Sequence, residues 1–194
     1  MRPPAIVHLI GFPAAGKLTI ARTLAEVAVN DGDRFVVLDN HHINNVIFAV
    51  LDVDGVKPLP ATVWDSVAEI RQVLLRTIED HSPPQWSFVL TNVLTDDKPS
   101  ERRAVDELVG LAGRTGRVYL PVVLQCEHDA LMERVANSDR RDRSKWTDPS
   151  GVGEFVRTHR LVDVTDLAPL TIDTTAIKPA QAASLILQRL HSGT

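Results

Sequence analysis

The sequence predicts an α/β fold, a five-stranded parallel sheet with helices on both faces. Three observations predict it. Short runs that are apolar throughout, rather than alternating, recur at residues 5–10, 35–38, 86–90, 118–124 and 170–172, as strands buried on both faces require. Longer stretches of helical periodicity separate these runs, which is the rhythm of βαβ units. A glycine-lined turn, Gly11-Phe-Pro-Ala-Ala-Gly-Lys-Leu-Thr19, stands between the first strand and the first helix.

Each element has its own chemical support. The first run, Ala5-Ile-Val-His-Leu-Ile10, has the length and apolarity of a buried parallel strand. The helix expected over 17–30 repeats Ile20, Leu24, Val27 and Ala28 at helical spacing. Phe35-Val-Val-Leu38 is the second strand, and 52–60, rich in Pro, Gly and Asp, reads as a loop. The helix over 62–80 opens with Thr62 and carries Asp65 in its first turn, where a negative charge suits the dipole. Residues 81–85 form a loop and 86–90 the third strand. Ser100 is the cap candidate for a helix over 100–111. Strand 118–124, helix 129–136 and strand 170–172 follow, and Pro179 stands early in a last helix over 179–190, where its missing N–H costs nothing. There is no internal repeat or low-complexity tract, and residues 1–194 are read as one domain with one substantial core, from 44% hydrophobic content.

Composition narrows the function classes. A formal net charge of −4 with pI ≈ 5.9 argues against a general nucleic-acid or membrane-surface binder, so any anion site is local. The single cysteine, Cys126, allows no internal disulfide and fits a reducing compartment. The apolar run before Gly11 is too short for a signal peptide or membrane span, so the expected location is cytoplasmic.

The turn is a phosphate-binding loop in its proper setting. Backbone N–H groups of a glycine-lined turn between strand and helix point inward at an anion, and the helix dipole favours the same charge. Gly11, Phe12, Pro13, Ala14, Ala15, Gly16, Lys17, Leu18 and Thr19 are therefore the nucleotide-binding candidates. The pattern asks for Ser or Thr directly after the lysine; here that place holds Leu18, and the hydroxyl comes at Thr19. Leu18 cannot ligate a metal, so Mg2+ would be held by Thr19, by Asp39, or through water.

In parallel sheets ligands bind beyond the carboxyl ends of the strands, where Gly11, Asp39, Thr91 and Asp173 fall. Asp39-Asn40-His41-His42 follows the second strand directly. A carboxylate here can accept a proton from an attacking hydroxyl, orient that hydroxyl or help hold Mg2+, and neutral histidine can do the first two. The same residues could also cap the next helix and form an ordinary loop. After the third strand, Thr91-Asn92 lacks the metal-orienting acid of mechanical ATPases, and Asp96-Asp97-Lys98-Pro99 reads as a turn. Arg134, Arg140, Arg141, Arg143 and Lys145 cluster within twelve residues. Beside a phosphate loop, such arginines can clamp phosphoryl oxygens or stack on a purine. The segment 170–179, with Asp173, Thr174 and Thr175, either holds an adenine edge or is a plain strand-to-helix connection. Trp64, Trp86 and Trp146 read as packing residues.

Together these residues resemble the small P-loop kinases of the nucleoside-monophosphate-kinase type, a group with adenylate, shikimate and gluconate kinases and chloramphenicol phosphotransferase. Gly11 to Thr19 looks like the adenylate-kinase form of the loop, and Asp39 is placed like the substrate-binding acid of shikimate kinase. Leu131-Met-Glu-Arg134 looks like the helix entering a lid, and Thr171-Ile-Asp-Thr-Thr175 like the final strand. The resemblance implies a P-loop NTPase three-layer fold with strand order 2-3-1-4-5 and an arginine-bearing lid over roughly 137–153. It implies ATP and Mg2+ as cofactors, and transfer of the γ-phosphoryl group to a hydroxyl of a small-molecule acceptor. Lys17 would bridge phosphates, Thr19 and Thr174 would contact the nucleotide, Arg140 would stack on adenine or clamp phosphate, and Arg143 would assist. Asp39 would orient or deprotonate the acceptor, beside His41 and His42. Two rival readings remain. A nucleotide-monophosphate kinase would want more arginines than Arg71 and Arg76 between Asp39 and Trp86, and a nucleotide-binding regulatory protein would turn over little.

Overall fold

The protein's structure, a computed structural model, describes residues 2–52, 59–60, 62–136 and 148–193. Its strands are β1 (Ala5–Gly11), β2 (Phe35–Asp39), β3 (Ser87–Asn92), β4 (Val118–Gln125) and β5 (Leu170–Asp173). Its helices are α1 (Lys17–Val29), α2 (Asn40–Val50), α3 (Val63–His81), α4 (Pro99–Arg114), α5 (His128–Val135), α6 (Pro149–Thr158) and α7 (Pro179–His191). The sheet order is β2-β3-β1-β4-β5 with every pairing parallel, as expected.

All seven residues of β1 are buried, because the strand is central and covered on both faces. Ala5, Val7 and Leu9 face α1 and α7, meeting Ile20, Leu24, Ile186 and Leu190. Ile6, with Phe88 and Leu90 of β3, meets Leu75 and Ile78 of α3 and Leu108 and Leu111 of α4. Each such side chain stabilises the fold by about 1.5–3 kcal/mol on burial. Pro121 is tolerated inside β4 because β5 pairs only from Val122 onward, so β4 is an edge at that point.

The ladders run past the apolar runs to the polar residues Asp39, Asn92, Gln125 and Asp173, because register continues where hydrophobicity stops. Two helices, α2 and α6, lie outside the helical stretches expected from the sequence. In α2 only Asn44 is fully buried, and its first turn of Asn and His has modest helix propensity. In α6 the Asp148 side chain accepts from Ser150 N and Gly151 N, both at 3.0 Å, with Pro149 in the first turn. Of the expected lid, 137–153, residues 137–147 lie outside the described residues, while 149–153 begin α6, with Val152 and Gly153 buried. A Cβ on Gly153 would stand 3.3 Å from Met132 Sδ of α5, so the two helices meet closely there. Ser100 lies within α4 rather than capping it, since Pro99 opens the helix and Lys98 is the N-cap. Among the described residues, no helix is long and apolar enough to cross a membrane.

One polar side chain stands inside this core. His8 of β1 is fully buried on the α3/α4 face, with Nδ1 2.9 Å from the Tyr119 hydroxyl and Nε2 3.0 Å from Asn92 Oδ1. Burial, the largest influence, pushes its pKa down from 6.5 to about 4, and the charge of Arg71 acts the same way. Between those values the unfolded chain binds a proton that the native state refuses, so stability falls as pH falls through this window. Urea unfolding should show the wild type losing roughly 2 kcal/mol more than His8→Gln between about pH 7 and about pH 5. Parallel pH profiles for the two proteins would refute the assignment.

Candidate active site

The loop between β1 and α1 begins where β1 touches β4. A Cβ on Gly11 would lie 3.1 Å from Leu124 O and 3.3 Å from the Ala15 side chain, so a larger residue would press the turn away from β4 and glycine lets it stay this close. Ala15 N donates to Phe12 O at 3.2 Å, and Ala14 (φ 67°) and Gly16 (φ 90°) take left-handed conformations. Alternating hands along a turn gather successive N–H groups into an anion-binding nest. The strain at Ala14, of order 1–3 kcal/mol, is the kind that surrounding structure maintains at functional sites.

Gly16 is the N-cap of α1, so the positive end of that helix opens on the nest. Lys17 Nζ donates to Gly11 O at 2.6 Å and to Phe12 O at 2.7 Å, which holds its charge over the loop. Leu18 is buried in the α1 core face and Thr19 is exposed. The position that usually carries a metal-binding hydroxyl is therefore packed inward, and the available hydroxyl lies one residue further round the helix.

A second element fixes the loop from beside β5. Thr174, buried, directs its hydroxyl at Ala15 O (3.1 Å) and Gln125 O (2.9 Å). Arg134 of α5 in turn donates to Thr174 O at 2.7 Å and Thr175 O at 3.0 Å. The Thr174 side chain thus serves the loop's position, and Arg134, read in the sequence only as the first of a basic run, ties α5 to the turn after β5. Phe12 also meets Phe155 of α6 edge-on, with ring centroids 6.1 Å apart. Arg140 and Arg143 lie outside the described residues.

The third element is the end of β2. Asp39 is only 5% exposed and accepts from the Thr91 hydroxyl. Although it occupies the N-cap position of α2, it makes no side-chain capping bond. His41 Nδ1 stands 3.9 Å from Asp39 Oδ2, whereas His42, turned about 100° further round the helix, is exposed. The structure thus brings His41 to Asp39 and leaves His42 outside. Asp39 pairs with Thr91 and Thr91 with Leu9, so Asp39 lies two strand spacings, about 10 Å, from β1. At this height the carboxylate stands on β2, with Thr91 opposite it on β3.

Sequence reasoning missed a fourth element. From the Tyr119–His8 contact a chain of polar groups runs through Asn92 to Asn40, whose Oδ1 accepts from Asn92 Nδ2 at 3.2 Å. It ends at a cavity of about 20 Å3, lined by Asn40, Ile43, Arg71, Thr91 and Asn92 among others, with room for roughly one water or one oxygen-bearing group. The one signal in the sequence was a histidine inside an otherwise apolar strand. Among the described residues, no cluster of three His, Cys, Asp or Glu side chains is placed to hold a metal.

No family model matches the chain, and no curated protein matches it in sequence. Solved structures do match, over nearly the full length of both partners. A candidate kinase from Chloroflexus aurantiacus is 20% identical, with 100% of each chain covered and a TM-score of 0.67. A gluconokinase from Sinorhizobium meliloti is 17% identical over 99% of this chain and 94% of that one, at TM-score 0.62. An APS kinase from Mycobacterium tuberculosis, solved with AMPPNP and APS, is 12% identical over 100% of both, at TM-score 0.62. The chain therefore has the P-loop kinase fold that its motifs resemble.

Thr174→Val keeps the shape but removes the one hydroxyl hydrogen that Ala15 O and Gln125 O share. It should destabilise the protein by about 1–3 kcal/mol in urea unfolding and weaken binding of a fluorescent ATP analogue, while Thr174→Ser restores both. Equal effects of Val and Ser would show that the hydroxyl is not the anchor.

Proposed function

We propose that the protein is an ATP-dependent phosphotransferase that moves the γ-phosphoryl group of ATP to a hydroxyl of a small molecule. The observation that carries this reading is the buried Asp39, held by Thr91 two strands, about 10 Å, from β1, the strand that runs into the lysine-bearing phosphate loop. That spacing suits a phosphoryl group on the loop and an attacking hydroxyl at the carboxylate.

The residues present fit ATP. The nest at Ala14 and Gly16, the α1 N-terminus and Lys17 all direct positive charge at one point. They also fit Mg2+ that keeps most of its waters, since the exposed Thr19 hydroxyl and Asp39 are hard oxygen donors and Leu18 is excluded. When bound, Mg2+ offsets the charge of the phosphate oxygens. Lys17 holds β- and γ-phosphate oxygens. Asp39 orients the acceptor hydroxyl and takes its proton as the new O–P bond forms and the bond to ADP breaks, with Thr91 and His41 keeping the carboxylate in place. Arg140 and Arg143 add charge stabilisation at the transferring group, and Thr174 and Arg134 hold the nucleotide side of the loop. The acceptor enters beside Asp39 and His41, with His42 at the rim. The single Cys126 suits work in a reducing cytoplasm.

Single-turnover reactions with γ-labelled ATP and a panel of sugars, sugar acids, nucleoside monophosphates and antibiotics test this reading. Label should pass to a hydroxyl-bearing acceptor; tight ATP binding with no transfer to any class would mark a nucleotide-binding regulator instead. Lys17→Ala should weaken ATP binding by roughly 10–100-fold. Asp39→Asn should bind ATP normally and slow transfer by roughly 10²–10⁴-fold. Unchanged ATP affinity in Lys17→Ala would remove the loop from the site.

A further inference from the structure

The chain Tyr119–His8–Asn92–Asn40 has a direction. Each link can donate or accept, so one orientation fixes the others. Asn92 presents Oδ1 to His8 Nε2 at 3.0 Å and Nδ2 to Asn40 Oδ1 at 3.2 Å. Because Oδ1 only accepts, Nε2 must carry the hydrogen; a neutral imidazole then has a bare Nδ1, which accepts from Tyr119. The phenol supports this sense. Burial pushes Tyr119 above its ordinary pKa, so it keeps its hydrogen, and among the described residues His8 is the partner for it. At the other end, Oδ1 of Asn40 is engaged by Asn92, which leaves the two Nδ2 hydrogens as the end of the amide available to the cavity it lines.

We propose that His8 is a positioning residue that fixes this polarity, so that Asn40 offers N–H donors to the cavity and the molecule bound there presents a hydrogen-bond-accepting oxygen. Arg71, lining the same cavity, is a donor too. An oxygen placed there accepts from both, whereas an ammonium or amide N–H would face these two donors and would have to compete for acceptors already engaged, Thr91 Oγ1 by Asn40 N and Asn92 Oδ1 by His8. A Leu or Val at position 8 would fill the strand equally well, but Asn92 could then turn over, Asn40 would follow, and the cavity would lose its preference. That this cavity receives part of the phosphoryl acceptor rests on the phosphotransferase reading above; the polarity of the chain does not.

Nitrogen-15 spectra of the histidine rings in the intact protein, without nucleotide, test it directly. The His8 signals are assigned by their loss in His8→Gln or, if that variant does not fold, by their shift in Tyr119→Phe. A neutral ring protonated at Nε2 at about pH 7 is expected; protonation at Nδ1, or at both nitrogens, overturns the proposal. Titration with acetate and with methylammonium then probes the cavity. Acetate should shift the Asn40 side-chain amide signals and methylammonium should not, and Asn40→Asp should weaken the response of the cavity's other residues to acetate by about tenfold or more. A response to methylammonium alone, or none to acetate, also overturns it. None of these readouts needs ATP, so the polarity can fail while phosphoryl transfer stands, and the reverse.

Discussion

The rest of the structure depends on the parallel register of β1 between β3 and β4. Parallel pairing brings the carboxyl ends of neighbouring strands to one edge, and the ladders carry Gly11, Asp39, Asn92 and Gln125 to that edge together. A shift of one residue in β1 would turn Val7 and Leu9 away from α1 and present His8 in their place. It would also part Gly11 from Leu124, whose backbone the glycine approaches closely. The apolar periodicity of one strand thus holds both the core and the mouth of the site.

Upon that frame the loop is held from two sides. From within, Gly16 supplies a left-handed turn and Lys17 folds back on the carbonyls of Gly11 and Phe12. From outside, Thr174 reaches Ala15 and is itself held by Arg134. Fixed donors are worth most when no reorganisation is needed to use them, and a loop tied to two strands and a helix is such an arrangement. Asp39 follows the same logic on the acceptor side, where Thr91 on the adjacent strand fixes the carboxylate.

The two faces of the sheet divide the chemistry. Val7 and Leu9 of β1 meet α1, the helix that carries the loop, on an apolar face, while His8 and Asn92 form a polar thread through the face beneath α3 and α4. Burying a histidine costs stability unless both ring nitrogens are satisfied, and both are here. A fully partnered thread in a close-packed core is stiff, which lets a group in the middle of the sheet set the orientation of an amide at its edge.

The sequence by itself determined the strand series, the phosphate loop and the displaced hydroxyl at Thr19, because apolar runs, glycine placement and residue type act locally. It also placed Asp39 at the carboxyl end of β2, since a charged residue directly after an apolar run marks where the strand leaves the core. Helices α2 and α6 were hidden: the first turn of α2 is Asn and His, with only Asn44 fully buried where the helix lies over β2, β3 and α3, and the Asp148 cap of α6 lay inside a charged stretch. Only the tertiary structure decided that Thr174 holds the loop, that His41 and not His42 meets Asp39, and that His8, Asn92 and Asn40 form one chain. Those partners stand 159, 84 and 52 residues apart in the pairs Thr174–Ala15, Asn92–His8 and Asn92–Asn40. Local pattern carries no information across such separations; parallel pairing and helix packing bring them within hydrogen-bond reach.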